Sequence, residues 1–135
     1  GHLYVGPESA LTLYECFDSA DVLISDISSV VTDFLYTERP LVTSNPRELD
    51  LETYFNTFPT QRASYILEKD LSNLAAIMAD VVGADSQLAD RLAMKKYVLG
   101  DLPNGPLAAF VAEGDRITAE ARTHAASIQN EFRVK

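Results

Sequence analysis

Short apolar runs alternate with helix-like segments in the first half of the chain. Val-Leu-Ile at 22–24 is rich in β-branched residues and predicts a strand buried on both faces. Apolar residues then recur at helical spacing over 30–35, and Leu-Val-Thr at 41–43 predicts a second strand. This strand–helix–strand order is typical of a parallel α/β sheet.

The same patterns predict the other elements. They are a strand at 3–5, a helix at 10–19 capped by Ser9, a strand at 64–67, a helix at 70–82 capped by Asp70, a helix at 85–98 and a final helix at 107–132 that opens with Pro106. Residues 45–62 lack clear periodicity and form either a functional irregular connection or a short helix over 48–55 followed by a loop. We therefore expect a three-layer, Rossmann-like α/β domain with a parallel sheet of four or five strands. Its core spans 3–105, and a C-terminal helix spans 106–133.

The turn after the first buried strand carries candidate chemistry. Ser25-Asp26 ends the strand, and Ser28 and Ser29 follow as good N-cap residues. Ligands of open α/β sheets bind at the carboxyl ends of strands, where a helix start offers unpaired N–H groups and serine hydroxyls add donors for a phosphate. The alternative is that the two serines only cap a helix.

Residues 20–35 (ADVLISDISSVVTDFL), followed by Arg-Pro-Leu-Val at 39–42, resemble the signature of the CDP-glycerol glycerophosphotransferases, which build the teichoic acids of bacterial cell walls. The matching positions are Asp21, Asp26, Ser28, Ser29, Asp33, Phe34 and Pro40. Ile27 departs from the Tyr that is usual in the family. The resemblance implies the C-terminal, nucleotide-binding half of a two-domain GT-B fold. The Gly-His start without Met predicts a domain excised from a longer protein.

The resemblance also implies roles for single residues. Ser28 and Ser29 would contact the phosphates of a CDP-linked donor, and Asp26 would brace the turn. Asp33 is placed like the acidic residue that binds the nucleotide ribose in GT-B enzymes, although a carboxylate there could simply favour the start of the helix.

Two further regions supply candidate donor contacts. Gln61 and Arg62 are the polar candidates in the 45–62 stretch, and Arg62 is the cation that we expect on a phosphate. The resemblance implies that Glu8 and Ser9 face the cytidine, and the alternative is that they serve helix capping.

Composition narrows the partners. The net charge of −9 argues against a nucleic acid partner and against direct binding to anionic lipid. A single cysteine, Cys16, favours a cytoplasmic setting, and no apolar run approaches the ~20 residues that span a bilayer. We expect membrane contact only through the rest of a parent protein at the inner face of the plasma membrane. No metal-ligand spacing is present, and we expect no cofactor.

The resulting hypothesis is a donor-binding domain that does not catalyse transfer by itself. The family's histidine motifs lie upstream of this signature and are not in these residues, so an N-terminal GT-B domain is the expected partner. Two alternatives stay open: the nucleotide-sugar-binding half of another GT-B glycosyltransferase, and a non-catalytic α/β interaction module.

Overall fold

The structure, a computed structural model, describes the backbone of residues 4–133 and the side chains of residues 4–129. The helices and strands follow in the order α1 (Leu13–Ser19), β1 (Leu23–Ser25), α2 (Ser29–Phe34), β2 (Leu41–Ser44), α3 (Leu51–Thr57), β3 (Tyr65–Leu67), α4 (Leu74–Val82), α5 (Leu88–Leu99) and α6 (Pro106–Arg133). Single 3₁₀ segments lie at Leu35–Thr37 and Pro59–Ala63. The chain divides into two compact units, the first ending at Gly100 and the second beginning at Asp101.

The sheet of the first unit is parallel, with its strands in the order β1-β2-β3. Leu23 of β1 is paired with Leu41 of β2, and Val42 of β2 with Tyr65 of β3. The expected mixed α/β fold is confirmed, but within residues 4–133 the sheet has three strands rather than four or five. The prediction of a strand at 3–5 is wrong for Tyr4 and Val5. Both residues are exposed, and neither belongs to a strand. Leu3 lies outside the described residues.

Helices pack on both faces of this sheet because side chains alternate along each strand. Leu41 points into a core shared with Val31 and Phe34 of α2, and Met94 and Val98 of α5 pack against it. The next strand residue, Val42, points into a second core with Ile77 of α4. This arrangement is that of a three-layer domain.

The first strand lies at the edge of the sheet, and this corrects the expectation that it is buried on both faces. Ile24 shares the face of Val42, and 51% of its surface is exposed. A three-residue edge strand has a neighbour on one side alone, so an apolar run is no guarantee of burial there.

The start of α1 differs from its prediction. Thr12, not Ser9, is the N-cap: its hydroxyl accepts from the Glu15 N–H at 3.2 Å, and the Glu15 carboxylate accepts from the Thr12 N–H at 2.7 Å. This reciprocal capping box satisfies two N–H groups that one serine could not. Ser9 instead accepts from the Leu11 N–H, and Glu8 is exposed.

The start of α4 also lies further along the chain than predicted. Asp70 accepts from the Ser72 N–H at 3.0 Å, within a turn where Leu71 has a φ of 63°. Asn73 precedes the helix, and its amide binds the Ile66 carbonyl and the Glu68 N–H instead of the helix start. The aspartate therefore shapes a turn rather than capping α4.

The stretch 45–62 contains a helix, as one of the two alternatives predicted, but the helix spans Leu51–Thr57 rather than 48–55 and a 3₁₀ segment follows it instead of a loop. Asp50 is the N-cap of α3 and accepts from the Thr53 N–H at 2.9 Å. This hydrogen bond lowers the pKa of the Asp50 carboxyl below its ordinary value of 3.8. The 3₁₀ segment then leads into β3.

The second unit consists mainly of α6. Gly105 has a φ of 82°, a left-handed conformation that favours glycine, and Pro106 opens the helix as predicted. Arg116 on α6 forms ion pairs with Glu113 at 2.6 Å and Glu120 at 2.5 Å. These pairs join residues about one helical turn apart and stabilise the helix.

Candidate functional site

The serine pair lies where the polypeptide passes from β1 into α2. Ser28 is extended, with φ −146° and ψ 155°, and its hydroxyl oxygen accepts from the Val30 N–H at 3.3 Å. Ser29 is the first residue of the helix and is exposed. The predicted capping role is confirmed for Ser28. Capping occupies an acceptor site on the hydroxyl and leaves its O–H able to donate to a ligand.

A cavity of about 340 Å³ opens at this turn. Two segments of the chain line it: the β1–α2 junction, and the end of α3 with the 3₁₀ segment that follows. The lining residues are Ile27, Ser28, Ser29, Thr32, Thr57, Phe58, Pro59, Thr60 and Gln61. The strand end, the serines and a recess therefore occur together, as open α/β sheets arrange their ligand sites.

The lining of this cavity, which we call the hydroxyl cavity, is polar without being charged. Five of its residues carry hydroxyl groups and Gln61 carries an amide, whereas Ile27, Phe58 and Pro59 contribute apolar surface. A hydroxyl can both donate and accept, and the amide offers both functions on separate atoms. The Thr57 hydroxyl already donates to the Thr53 carbonyl at 2.8 Å, so it offers a ligand only its acceptor sites. Such a lining suits a ligand rich in oxygen atoms.

Gln61 has a fixed position in this wall. Only 1% of its surface is exposed. Its backbone N–H donates to the Phe58 carbonyl at 3.0 Å, and its side-chain Oε1 accepts from the Ser64 hydroxyl at 3.4 Å. Its Nε2 group makes no hydrogen bond within the part of the chain that the structure describes. The Gln61 Nε2 is not one of the fully buried unpaired atoms of the described residues, so it keeps access to the cavity and its unused donors are available to a ligand.

The predicted aspartates lie near the cavity in sequence, yet neither lines it. Asp26 and Asp33 are both exposed. The carboxylate of Asp26 accepts no hydrogen bond from residues 4–129, and its role in bracing the turn stays a prediction. The ribose role of Asp33 stays a prediction.

Arg62 lies away from the serine pair. Its guanidinium stands 5.0 Å from the centre of the Phe55 ring and donates to the Asn56 Oδ1 at 3.3 Å. It lines a different cavity, of about 510 Å³, with Phe55, Tyr65 and Asp90 among its neighbours. The structure thus does not bring Arg62 together with Ser28 and Ser29.

Three contributors to the hydroxyl cavity, Thr32, Thr57 and Thr60, were not candidates from sequence. Thr57 ends α3 and Thr60 belongs to the following 3₁₀ segment, so their approach to the serines depends on tertiary packing. The only local signal is a run of hydroxyl and amide residues around Pro59. Gln61, a sequence candidate, is placed in the cavity.

A larger cavity, of about 850 Å³, lies at the carboxyl ends of β2 and β3. Its polar side chains are occupied by internal bonds. Asn45 binds the Leu49 backbone on both its amide atoms, at 2.7 and 3.2 Å, and Lys69 pairs with Glu48 at 3.0 Å. These contacts hold the loops at the strand ends.

Two searches over the described residues bear on membrane and metal binding. No helix in this part of the chain is both long and apolar enough to cross a membrane. No group of three or more His, Cys, Asp or Glu side chains is arranged to hold a metal ion within the same residues.

Comparison with known proteins gives one match. The family model described as CDP-Glycerol:Poly(glycerophosphate) glycerophosphotransferase matches residues 4–83, more than half of the chain and all of the hydroxyl cavity. The chain has no significant match among curated proteins or solved structures.

Proposed function

Because the chain belongs to the CDP-glycerol:poly(glycerophosphate) glycerophosphotransferase family, we propose that its hydroxyl cavity binds the nucleotide-activated glycerol donor. One observation supports this most strongly: Ser28 and Ser29 stand at a cavity at the carboxyl end of a parallel strand, inside the segment that the family model matches. A module with no ligand would need the serines only as caps, with no recess beside them.

In this proposal the serine hydroxyls donate to the phosphate oxygens of a CDP-glycerol-type donor. An acceptor hydroxyl attacks the β-phosphorus, the bond between that phosphorus and the oxygen of CMP breaks, and CMP leaves with the electron pair. Hydrogen-bond donors around the diphosphate stabilise the charge that develops in the transition state.

The proton of the acceptor hydroxyl must go to a base. No residue lining the hydroxyl cavity is a His, Asp, Glu or Lys, so we assign the base to another part of the enzyme. We propose that this part is an N-terminal GT-B domain, and that the complete enzyme extends a teichoic-acid-like polymer at the inner face of the plasma membrane. This chain would then bind the donor without catalysing transfer on its own.

The test is a titration of the chain with CDP-glycerol, followed by amide NMR shifts or calorimetry. We expect binding to the wild type, and an affinity at least about tenfold lower in the Ser28→Ala/Ser29→Ala double variant because two donor hydrogen bonds are lost. Ser127→Ala is the matched control, since its hydroxyl donates to the His124 carbonyl on α6. Circular dichroism confirms that each variant is folded.

Two results would contradict the proposal. A clear preference for UDP-sugars over CDP-glycerol would assign the site to another class of glycosyltransferase. Undiminished CDP-glycerol binding in the double variant would place the donor elsewhere on the chain.

A further inference from the structure

We infer that the wall of the hydroxyl cavity formed by residues 57–61 recognises the hydroxyl groups of the glycerol part of the donor, with Gln61 as the specificity-determining residue. This inference rests on the proposed donor site. It divides that site into a phosphate wall at Ser28 and Ser29 and a polyol wall at Thr57, Thr60 and Gln61.

The charge of the lining supports this division. A phosphate oxygen only accepts hydrogen bonds, whereas an alcohol both donates and accepts. A cavity built for the diphosphate alone would be expected to contain Lys or Arg, and its lining has neither. Hydroxyl and amide groups on the second wall offer donors and acceptors together, which matches a neutral polyol.

The size of the cavity points the same way. Its volume of about 340 Å³ lies near the lower end of the roughly 300–1,000 Å³ that is usual for small-molecule sites. A three-carbon polyol with its phosphate fits that space, so we place this part of the donor inside the cavity and the cytidine outside its open mouth. Ile27, Phe58 and Pro59 supply apolar surface for the carbon atoms of the polyol.

Gln61 is the residue of this wall best suited to discriminate. Its backbone and its Oε1 are held by Phe58 and Ser64, so its Nε2 donors are oriented before a ligand arrives. A site that hydrogen-bonds a substrate hydroxyl binds an analogue without that hydroxyl less tightly, because the hydrogen bond is then lost. The expected discrimination is therefore between CDP-glycerol and CDP, which lacks the polyol.

The experiment measures the affinities of the full chain for CDP-glycerol and for CDP, in the wild type and in Gln61→Met. Methionine keeps the length of the side chain and removes both polar atoms. We expect the CDP-glycerol affinity to fall about five- to tenfold, the effect of losing a neutral hydrogen bond, while the CDP affinity stays within about twofold. Gln87→Met is the matched control, because Gln87 precedes α5 and does not line the hydroxyl cavity.

The outcomes separate this inference from the donor site itself. Suppose that the wild-type chain binds CDP-glycerol. If Gln61→Met then loses affinity equally for both ligands, or for neither, the polyol wall is overturned and the donor site is not. Failure of the wild type to bind CDP-glycerol overturns the proposed function and the polyol wall with it.

A second variant covers the case in which Gln61→Met does not fold. Thr60→Val replaces a hydroxyl by a methyl group of similar size, and the Thr60 side chain makes no hydrogen bond within the described residues. We expect the same selective loss of CDP-glycerol affinity, of about threefold or more. An unchanged ratio of the two affinities in this variant overturns the inference.

Discussion

Two polar clusters of the first unit use their hydrogen-bonding capacity in opposite ways. In the hydroxyl cavity, Ser29, Thr60 and the amide nitrogen of Gln61 keep donors that no described residue uses. Around Arg91, by contrast, the polar groups are bound to one another except for the Arg91 Nη1, which is buried without a partner among the described residues. The Arg91 side chain is fully buried on α5, its Nε donates to the Glu38 carbonyl at 2.8 Å, and its Nη2 pairs with Asp85. We interpret the first cluster as a binding site and the second as structural.

The second cluster fixes the turn that follows α2. Glu38 has a φ of 61°, which is unfavourable for a residue with a side chain. Its carbonyl is held by Arg91, and its carboxylate is held by Lys95 at 2.6 Å. Tyr65 adds a bond to Asp85 at 3.1 Å. The comparison teaches that a buried charge held by several neighbours has a structural role, whereas neutral cavity groups with donors that no described residue uses are candidates for ligand contacts.

The strongest test of this comparison is Arg91→Met. Loss of the guanidinium leaves the Asp85 carboxylate and the Glu38 carbonyl without their buried partner, and we expect the free energy of unfolding to fall by about 3 kcal/mol. CDP-glycerol affinity should be unchanged under conditions where the variant is folded. Urea denaturation followed by circular dichroism gives the stability, and the donor titration gives the affinity.

Arg116→Met provides the matched control for that substitution. Arg116 is exposed on α6 and forms its ion pairs within the same helix, so its loss should change stability far less than the loss of Arg91. Equal effects of the two substitutions would show that burial of Arg91 carries no special cost. One Arg91 atom, Nη1, is buried without a partner among the described residues, and a stability gain on substitution would mean that this unpaired group dominates.

The sequence predicted the position of the serine pair at a strand end better than it predicted what stabilises the fold. The serine pair was predictable because a strand end followed by N-cap residues is a local pattern. Arg91 was not, because its partner Glu38 lies 53 positions away and nothing local distinguishes it from a solvated helix residue. Thr57 and Thr60 were missed for the same reason. The contacts that decide such cases are made only when distant segments pack together.

Local competition explains the errors in the predicted element boundaries. Ser9 and Thr12 are both suitable N-caps, and Thr12 prevails because Glu15 completes its capping box. Asp70 was expected to cap α4 but shapes a turn before it, since Asn73 binds the end of β3. The edge position of β1 could not be predicted either, because strand order is a property of the whole sheet.

Single substitutions of the two serines sharpen the comparison at a smaller scale. Ser28 combines a structural role with a proposed binding role, since it caps α2 and also lines the hydroxyl cavity. Ser29 lines the cavity without capping the helix. We expect Ser28→Ala to lower stability by about 1 kcal/mol and also to weaken donor binding. Ser29→Ala should weaken binding and leave stability within about 0.5 kcal/mol. Thermal melts and donor titrations on both variants separate the two effects.

Other effects of these two substitutions on stability and binding would change the roles given to the serines. A large loss of stability in Ser29→Ala would mean that its hydroxyl has a structural partner. Unaltered binding in Ser28→Ala, together with the loss of stability, would restrict Ser28 to capping.

The smallest expected effect concerns the helix that carries the 57–61 wall. Asp50 caps α3, and its bond to the Thr53 N–H holds the pKa of the carboxyl below its ordinary value of 3.8. The ionised carboxylate therefore binds the folded state more strongly than the protonated acid does. This stabilisation is complete above the pKa of the unfolded chain and is lost as the pH falls through the lower pKa of the folded state.

We expect the wild type to exceed Asp50→Ala in melting temperature by a constant margin above about pH 5, and the margin to shrink below about pH 4. Asp50→Asn retains a capping side chain without a titrating group, so its margin over Asp50→Ala should not change with pH. If the wild-type margin instead stays constant down to pH 3, the charge of Asp50 does not support α3.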